Sequence, residues 1–548
     1  MMKRSIIFIV GALIIIVAAS LLYLKFRKLD DFEPQIKGKL QKLVHDASKG
    51  LYKLNVEKIN ADIVGAKVIL SNVDLTYDSL VYAKLRAAKQ APADVFNIHL
   101  NSLALDGVTP EDLIRKKNIH LNILLIENPT VHVYHHQLDY ERPKKETSVY
   151  DVVHKEIGSF ALNSLDLKHV EFIYHQMKSK VQTSFKDLNV SLKDIVIDSI
   201  TQSDTSRFLY AKDATISLKD FKHKTADSLY NFKLDSITIL AAKNEVHIQN
   251  LRMEPRVSKA NYPKAVKFRE DRYDISVQHV VLENINWWAL LADEGIYVDH
   301  AFLSNGKIEV YSDRTIPGNS SKVSTYPHQQ LFKSDLPVGI KKIDATNFDI
   351  SYMERSPETM KTGQLDFVNT AATVTNVTNI ASWIKKDELL KIDATTRFMN
   401  EGKLKANFRL NLKRQKEGVF SVKADMGPMS GLKLNKATIG LAAVEIKEAN
   451  ISHLMADITG NNVEGRGKIL LTYSDLKVDV LKKQDNGDFK KRGLITFIAN
   501  NFKIKHENPK KGKKAETVNA YYKKPPEKSF FALIWKTIFA GVKESAGL

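Results

Sequence analysis

The stretch LALDGVTPEDLIRKKNIHLNILLIENPTVHVY, residues Leu103–Tyr134, decides how this chain is read, because the chain contains it twice. The second copy is VVLENINWWALLADEGIYVDHAFLSNGKIEVY, residues Val280–Tyr311, at a constant offset of 177 positions (282 − 105). Leu105 falls on Leu282, Leu113 on Leu290, Ile119 on Ile296, Val131 on Ile308 and Val133 on Val310. Outside this core the match continues with slips of one position: Asn72 falls on Asn250 and Tyr174 on Tyr352. Residues 55–200 and 233–380 therefore read as two copies of one unit. Repeated units stack into arrays instead of forming a compact enzyme body.

One figure recurs inside both copies: apolar, any, apolar, two residues, apolar, any, apolar. It appears as Val68, Leu70, Val73, Leu75 and as Ile98, Leu100, Leu103, Leu105. It returns as Leu165, Leu167, Val170, Phe172 and as Val190, Leu192, Ile195, Ile197. The second copy carries Val246, Ile248, Leu251, Met253 and Ile275, Val277, Val280, Leu282. Alternation marks a strand with one apolar face. The two-residue gap would flip that face in a straight strand, so it marks either a β-bulge, which keeps the face and bends the strand, or a tight turn.

Helices are sparse. Thr109-Pro110-Glu111-Asp112 opens one with a cap, a proline and acids; Asn286 caps its counterpart before Trp287-Trp288-Ala289-Leu290-Leu291. After each helix a strand pair is expected. The first is His120–Ile126, a turn at Asn128-Pro129, then Val131–Tyr134. The second is Tyr297–Leu303, a hairpin turn at Asn305-Gly306, then Ile308–Tyr311.

The chain starts with Ile6–Leu24, a run of 19 residues without a charge. At about 1.5 Å per residue it spans about 28 Å, close to the hydrocarbon thickness of a bilayer. The reading is an uncleaved anchor that includes Ile6, Phe8, Leu13, Ile16, Leu21 and Leu24. A cleaved signal is the competing reading, with Ala18-Ala19-Ser20 as small residues, but the run continues past them. Lys25, Arg27 and Lys28 outnumber Lys3 and Arg4, which by itself argues for a cytoplasmic body; the rule is weak for long translocated domains. Phe32, Ile36, Leu40, Leu43, Val44 and Ala47 then share one helical face, suited to capping a sheet or to lying on a membrane.

The expected divisions are an anchor over 1–28, an amphipathic helix over 29–54, β modules over 55–230 and 231–385, a C-terminal β region over 386–502, a basic linker over 503–528 and a final helix over 529–548. Phe408, Leu410 and Leu412 alternate in the C-terminal region, and Leu476, Val478 and Val480 do so later. The linker is rich in lysine and holds Pro509, Pro525 and Pro526. In the last helix Phe531, Ile534, Trp535, Ile538 and Val542 share a face, which either caps the last strand or meets a membrane or partner.

The net charge of +19 favours anionic surfaces, and the absence of cysteine excludes disulfides, thiolate metal sites and a cysteine nucleophile. So few helices cannot cover so long an apolar face. Either two sheets cover each other as a sandwich, or the sheet curls around an open groove; pattern alone favours the sandwich.

Three phrases bear on that choice. They are Ile126-Glu127-Asn128-Pro129-Thr130-Val131-His132-Val133-Tyr134, the segment Val463-Glu464-Gly465-Arg466-Gly467-Lys468-Ile469-Leu470-Leu471-Thr472-Tyr473-Ser474-Asp475-Leu476-Lys477-Val478, and the end, Lys528-Ser529-Phe530-Phe531-Ala532-Leu533-Ile534-Trp535-Lys536-Thr537-Ile538-Phe539-Ala540-Gly541. With the anchor and its amphipathic helix, they resemble the AsmA-like proteins of diderm bacteria, relatives of TamB and the bridge-like lipid transfer proteins. The likeness covers most of the chain and rests on loose phrases, with no catalytic residue among them. It implies a mainly β, elongated, twisted, partly open half-pipe (β-taco-like) built from a duplicated module. It also implies an inner-membrane anchor, a periplasmic body, and a role in phospholipid transport and outer-membrane homeostasis. The implied partners are membrane phospholipids through their acyl chains, with an outer-membrane or periplasmic protein partner left open. The chain is short for a bridge. The alternative function is a structural or partner-binding envelope protein with a closed sandwich body.

On the groove reading the lining is Val68, Leu70, Val73, Leu75, Ile98, Leu100, Leu103, Leu105, Val246, Ile248, Leu251, Ile275, Val277, Val280 and Leu282. An acyl chain kept from water is worth about 0.8 kcal/mol per CH₂, so such a lane must be unbroken. No catalytic, cofactor or metal residue is expected. His132 and His136 share a strand face beside His135, but no carboxylate completes a zinc set. Gly465-Arg466-Gly467 lacks a dinucleotide setting, and Trp287-Trp288 reads as helix packing. No nucleophile elbow, phosphate loop or nucleic-acid motif is present.

Overall fold

The computed structural model describes residues 32–62, 65–107, 118–140, 159–177, 181–204, 206–208, 210–225, 227–291, 294–319, 323–483, 489–492 and 504–547. The expected anchor and the Thr109–Ile114 helix lie outside them. No helix among the described residues is long and apolar enough to cross a membrane. The protein is mainly β, with 22 strands among the described residues in mixed parallel and antiparallel pairing. It divides into two compact units, residues 1–249 and 250–548, and the boundary falls inside a strand, where the sequence placed it near 230.

The first unit opens with helix α1 (Phe32–Ala47), which packs on strand β1 (Tyr52–Asp62) and buries Leu40 and Val44. It therefore caps the sheet. Then come β2 (Lys67–Tyr77), α2 (Ser79–Ala87), β3 (Asp94–Asp106), β4 (Asn118–Glu127), β5 (Thr130–His135), β6 (Ser159–Gln176), β7 (Val181–Ile197), β8 (Ala211–Lys224) and β9 (Tyr230–Leu240). Asp78 caps α2, its carboxylate accepting from the amides of Leu80 and Val81.

The chain enters the second unit within β10 (Glu245–Pro255) and continues through α3 (Tyr262–Ala265), β11 (Arg272–Ile285), α4 (Trp287–Leu291), β12 (Ile296–Asp313), α5 (Pro327–Leu331), β13 (Val338–Arg355) and β14 (Thr362–Thr378). Next are α6 (Ala381–Lys386), β15 (Leu389–Phe398), β16 (Gly402–Asn411), β17 (Phe420–Met426), β18 (Met429–Ser430), α7 (Asn435–Ala442), β19 (Val444–Gly460) and β20 (Glu464–Lys483). The last elements are β21 (Phe489–Lys491), β22 (Thr517–Lys523) and α8 (Phe530–Ser545). As expected, Asn286 caps α4, accepting from the amide of Ala289 at 3.0 Å.

The duplication is visible in the register. Leu103 pairs with Ile126 and Val280 pairs with Leu303; Ile98 pairs with Val131 and Ile275 with Ile308. Both copies then make a parallel step. Val131 faces Phe172 across β5 and β6, as Ile308 faces Ile350 across β12 and β13.

The two expected strand pairs take a different form. β4 and β5 are not a hairpin: both pair antiparallel with β3 and parallel with β6, as one strand interrupted at Asn128-Pro129. In the second copy β12 runs unbroken through Asn305-Gly306. A reversing Asn-Gly turn needs two consecutive left-handed residues. Only Asn305 is left-handed, with φ 56°, so the chain kinks and continues. Where Met399 and Asn400 are both left-handed, at φ 51° and 61°, β15 does turn back into β16.

Asn305 belongs to a series. Asn72, Asn128, His169 and Asp187 are left-handed in the first unit, and Asn305, Asn347 and Asn369 in the second. Asn and Asp tolerate this conformation better than other side chains. Asn347 donates to the Asn305 side-chain oxygen at 2.6 Å, and the His169 ring meets the Asp187 carboxylate at 2.7 Å. The two-residue gaps are thus distortions inside continuous strands, not turns. Aligned from strand to strand, they form a seam within each unit, and distortions of this kind bend the strands that carry them.

Residues 503–528 are not only a linker. Their strand β22 pairs with β20 from Glu464 to Leu470, burying Val518 and Ala520 while its one lysine, Lys523, stays exposed. Lysine on an edge strand discourages further pairing. Helix α8 lies on β20 and β22, as the capping reading of its apolar face has it; the alternative is contact with a membrane or partner.

Candidate apolar binding face

In the first unit, apolar residues on successive strands stand opposite one another. One row runs Leu54, Leu75, Ile98, Val131, Phe172, Phe185, and every member is buried. The Phe172 and Phe185 rings stack at 4.7 Å. A second row begins Ile59, Leu70, Leu103, Ile126 and continues as Leu167, Val190, Ile216, Ile239. Its first four members are buried, and the last four, from β6 to β9, are only half-buried.

The expected lining residues divide accordingly. Val68, Leu70, Val73, Leu75, Ile98, Leu100, Leu103 and Leu105 are exposed by 7% or less, so in this structure they form core. Val246, Val277 and Val280 are also buried, while Ile248, Leu251, Ile275 and Leu282 keep partial access to water.

The second unit holds an arrangement that single-strand patterns did not reveal. One row runs through ten strands: Leu282, Ala301, Ile343, Val374, Ile392, Phe408, Val422, Ile458, Gly467, Ala520. Two residues along each strand, on the same face, the next row is nearly all alanine: Ala345, Ala372, Ala394, Ala406, Ala424, Ala456. Beyond it stand Leu404, Met426, Leu454 and Leu471. The alanine methyls lie beside a line of bulky side chains on all six strands and between two such lines on β16, β17 and β19, which makes a trough across the strands; on β15 the far position is Thr396, paired with Leu404. Six strands at about 4.8 Å spacing give it a length of about 24 Å. Three of the six strands carry the figure bulky-any-Ala-any-bulky, for example Leu404-Lys405-Ala406-Asn407-Phe408, but only the cross-strand register sets the alanines in one row.

Burial along this floor is uneven. Ala456 is buried in one cluster with Leu533 and Ile534 of α8 and Ala424 packs against that cluster, while Ala345, Ala372, Ala394 and Ala406 are half-buried. The first turn of α8 closes one side. Its Phe530 ring lies 4.9 Å from Phe420 and its Phe531 ring 5.0 Å from Tyr352. Tyr352 is on β13, whereas the body of α8 rests on β20 and β22, so the sheet curls around the helix.

Polar groups stay at the margins. Asp313 is fully buried at the end of β12, where it accepts from the Thr315 hydroxyl at 2.6 Å and pairs with Arg355 at 3.4 Å. Burial, aided by the Arg314 and Arg269 charges, pulls the Lys528 amine down to about 8. The clustered histidines His132, His135 and His136 go to separate partners. His132 meets His175 at 3.3 Å, His135 meets Asp94 at 2.8 Å, and the His136 ring packs on Tyr82. No group of three or more metal-binding side chains is gathered among the described residues.

No protein-family model matches the chain, and no curated protein matches it.

Proposed function

We propose that this protein is a membrane-anchored holder of lipid acyl chains, in which the curled sheet of each unit acts as a partly open half-pipe. The observation that carries this reading is the alanine-floored trough. An extended chain advances about 1.2 Å per bond, so about 24 Å accommodates about 20 bonds, the length of one fatty chain. Burying such a chain is worth on the order of 10 kcal/mol at about 0.8 kcal/mol per CH₂. The uncharged run Ile6–Leu24 supports attachment to a bilayer. With the AsmA-like resemblance, it supports an inner-membrane anchor, a periplasmic body and a contribution to phospholipid transport and outer-membrane homeostasis. A photo-crosslinker in place of Ala372 or Ala394 is expected to capture phospholipid in cells, and lipid is expected to co-purify with the protein. Crosslinks to protein alone, together with lipid-free preparations, overturn the reading.

A second reading rests on Leu70, Leu103, Leu105 and Ile126, which are completely buried. A body closed throughout would serve as a structural or partner-binding envelope protein. On that reading deletion leaves lipid distribution unchanged.

A further inference from the structure

On the opposite face of the trough sheet lies a cavity of about 440 Å³. Arg409 on β16, Ser421 on β17, Thr459 on β19 and Arg466 on β20 line it, each one residue out of phase with the inward row Phe408, Val422, Ile458 and Gly467. Arg414, from the loop between β16 and β17, completes the wall, and Glu464 is the one carboxylate in it. Three guanidinium groups and one carboxylate line it; Arg409 is paired with Asp393 at 2.8 Å and Arg414 with Glu417, both carboxylates lying outside the lining.

The rim is held before any ligand arrives. The Asn462 amide donates to the Glu417 carbonyl at 2.9 Å, and its side chain donates to the Lys416 carbonyl at 2.8 Å. This ties the β16–β17 loop to the β19–β20 turn. Gly418 sits between them at φ +68°, where an added Cβ would lie 2.1 Å from the Asn462 side-chain oxygen. Arg466 rests on the Tyr521 ring at 5.0 Å, and its Nε donates to Glu464 at 2.8 Å. Arg414 donates to Glu417 in the same way at 3.1 Å.

We propose that this cavity binds a phosphate-bearing anion, gripped by Arg414 and Arg466 on its wall. The planar fork of arginine matches phosphate oxygens two at a time, and a charge-assisted bond of this kind is about twice as strong as a neutral one. A phosphate would compete with the present carboxylate partners: Arg414 and Glu417 form a bidentate pair, but both are more than half exposed, so the exchange unburies neither group. The hydroxyls of Ser421 and Thr459 supply further donors. The site faces away from the trough, so it stands or falls independently of acyl-chain binding.

The test uses the full chain in neutral detergent, titrated with inorganic phosphate and with water-soluble dihexanoylphosphatidic acid. Saturable binding of at least one is expected. Arg466→Gln should weaken it about tenfold, the effect of one charge-assisted contact. Glu464→Gln should tighten it about threefold, because it removes the internal competitor. A preference for the free ion or for the lipid identifies the source of the phosphate. Absence of saturation with both ligands, or both variants shifting affinity in the same direction, overturns the proposal.

Discussion

The Tyr326 hydroxyl donates a hydrogen bond to the backbone carbonyl of Asn461, 2.8 Å away and 135 positions later in the chain. The Tyr326 ring is fully buried, meets Phe530 at 5.0 Å and Phe420 at 6.0 Å, and lies 5.6 Å below the Lys524 amine. That amine in turn donates to the carbonyls of Pro525, Pro526 and Lys528. One side chain thus joins the loop after β12, the β19–β20 turn and the entry to α8.

Tyr326→Phe keeps the ring and removes only the hydrogen bond, which should cost about 1 kcal/mol. Tyr326→Ala empties the site and should cost about 3–5 kcal/mol. Urea unfolding of the purified protein reads both. Equal losses would mean that the ring packing contributes nothing.

His328, two residues on, is fully buried, and neither ring nitrogen has a hydrogen-bond partner. Burial pulls its pKa down from 6.5 to about 4. The ring is neutral in the folded protein, while the unfolded chain takes up a proton below 6.5. Stability is therefore lost as pH falls from 6.5 toward 4, by about 2 kcal/mol at pH 5. His328→Leu should flatten this slope. Parallel melting curves from pH 7.5 to 5 for the two proteins make the comparison, and identical slopes refute it.

The bulge seam makes paired predictions. A Cβ on Gly306 would lie 2.0 Å from the Phe348 ring, so Gly306→Ala should cost about 1–3 kcal/mol and be partly rescued by Phe348→Leu. Asn305→Val should cost about 1–2 kcal/mol because of its left-handed backbone, whereas Asn305→Gly should be nearly neutral. Thermal unfolding distinguishes these, and a harmless Asn305→Val would remove the strain argument.

The alanine row is expected to respond according to cover. Ala394→Phe and Ala406→Phe fill a floor that is only half-buried, so they should leave melting within about 1 kcal/mol of the parent. They should also reduce the lipid extracted from the purified protein. Ala456→Phe, in the buried cluster under α8, should instead cost about 1–3 kcal/mol. Full lipid recovery from the first two variants would show that the chain lies elsewhere.

Period-two alternation and the internal repeat were enough to see a β protein with a duplicated module, because both are local properties of the chain. Asn305-Gly306 reads as a hairpin but is not one, because residue type does not say whether one or two residues are left-handed. Lysine content hid β22, since an edge strand needs apolar residues only at alternate positions such as Val518 and Ala520. The trough could not be read from any single strand. Each alanine is unremarkable until cross-strand register sets Ala372 beside Ala394 and Ala394 beside Ala406.

The parallel step between β12 and β13 has a consequence during synthesis. β13 cannot reach β12 until the connection over residues 314–337 has left the ribosome and folded back. At ordinary elongation rates the nascent chain carries the bare outer edge of β12, eighteen residues long, for a few seconds. The charges spaced along it at Asp299, Lys307 and Glu309 are then the guard against mispairing with a neighbouring polypeptide.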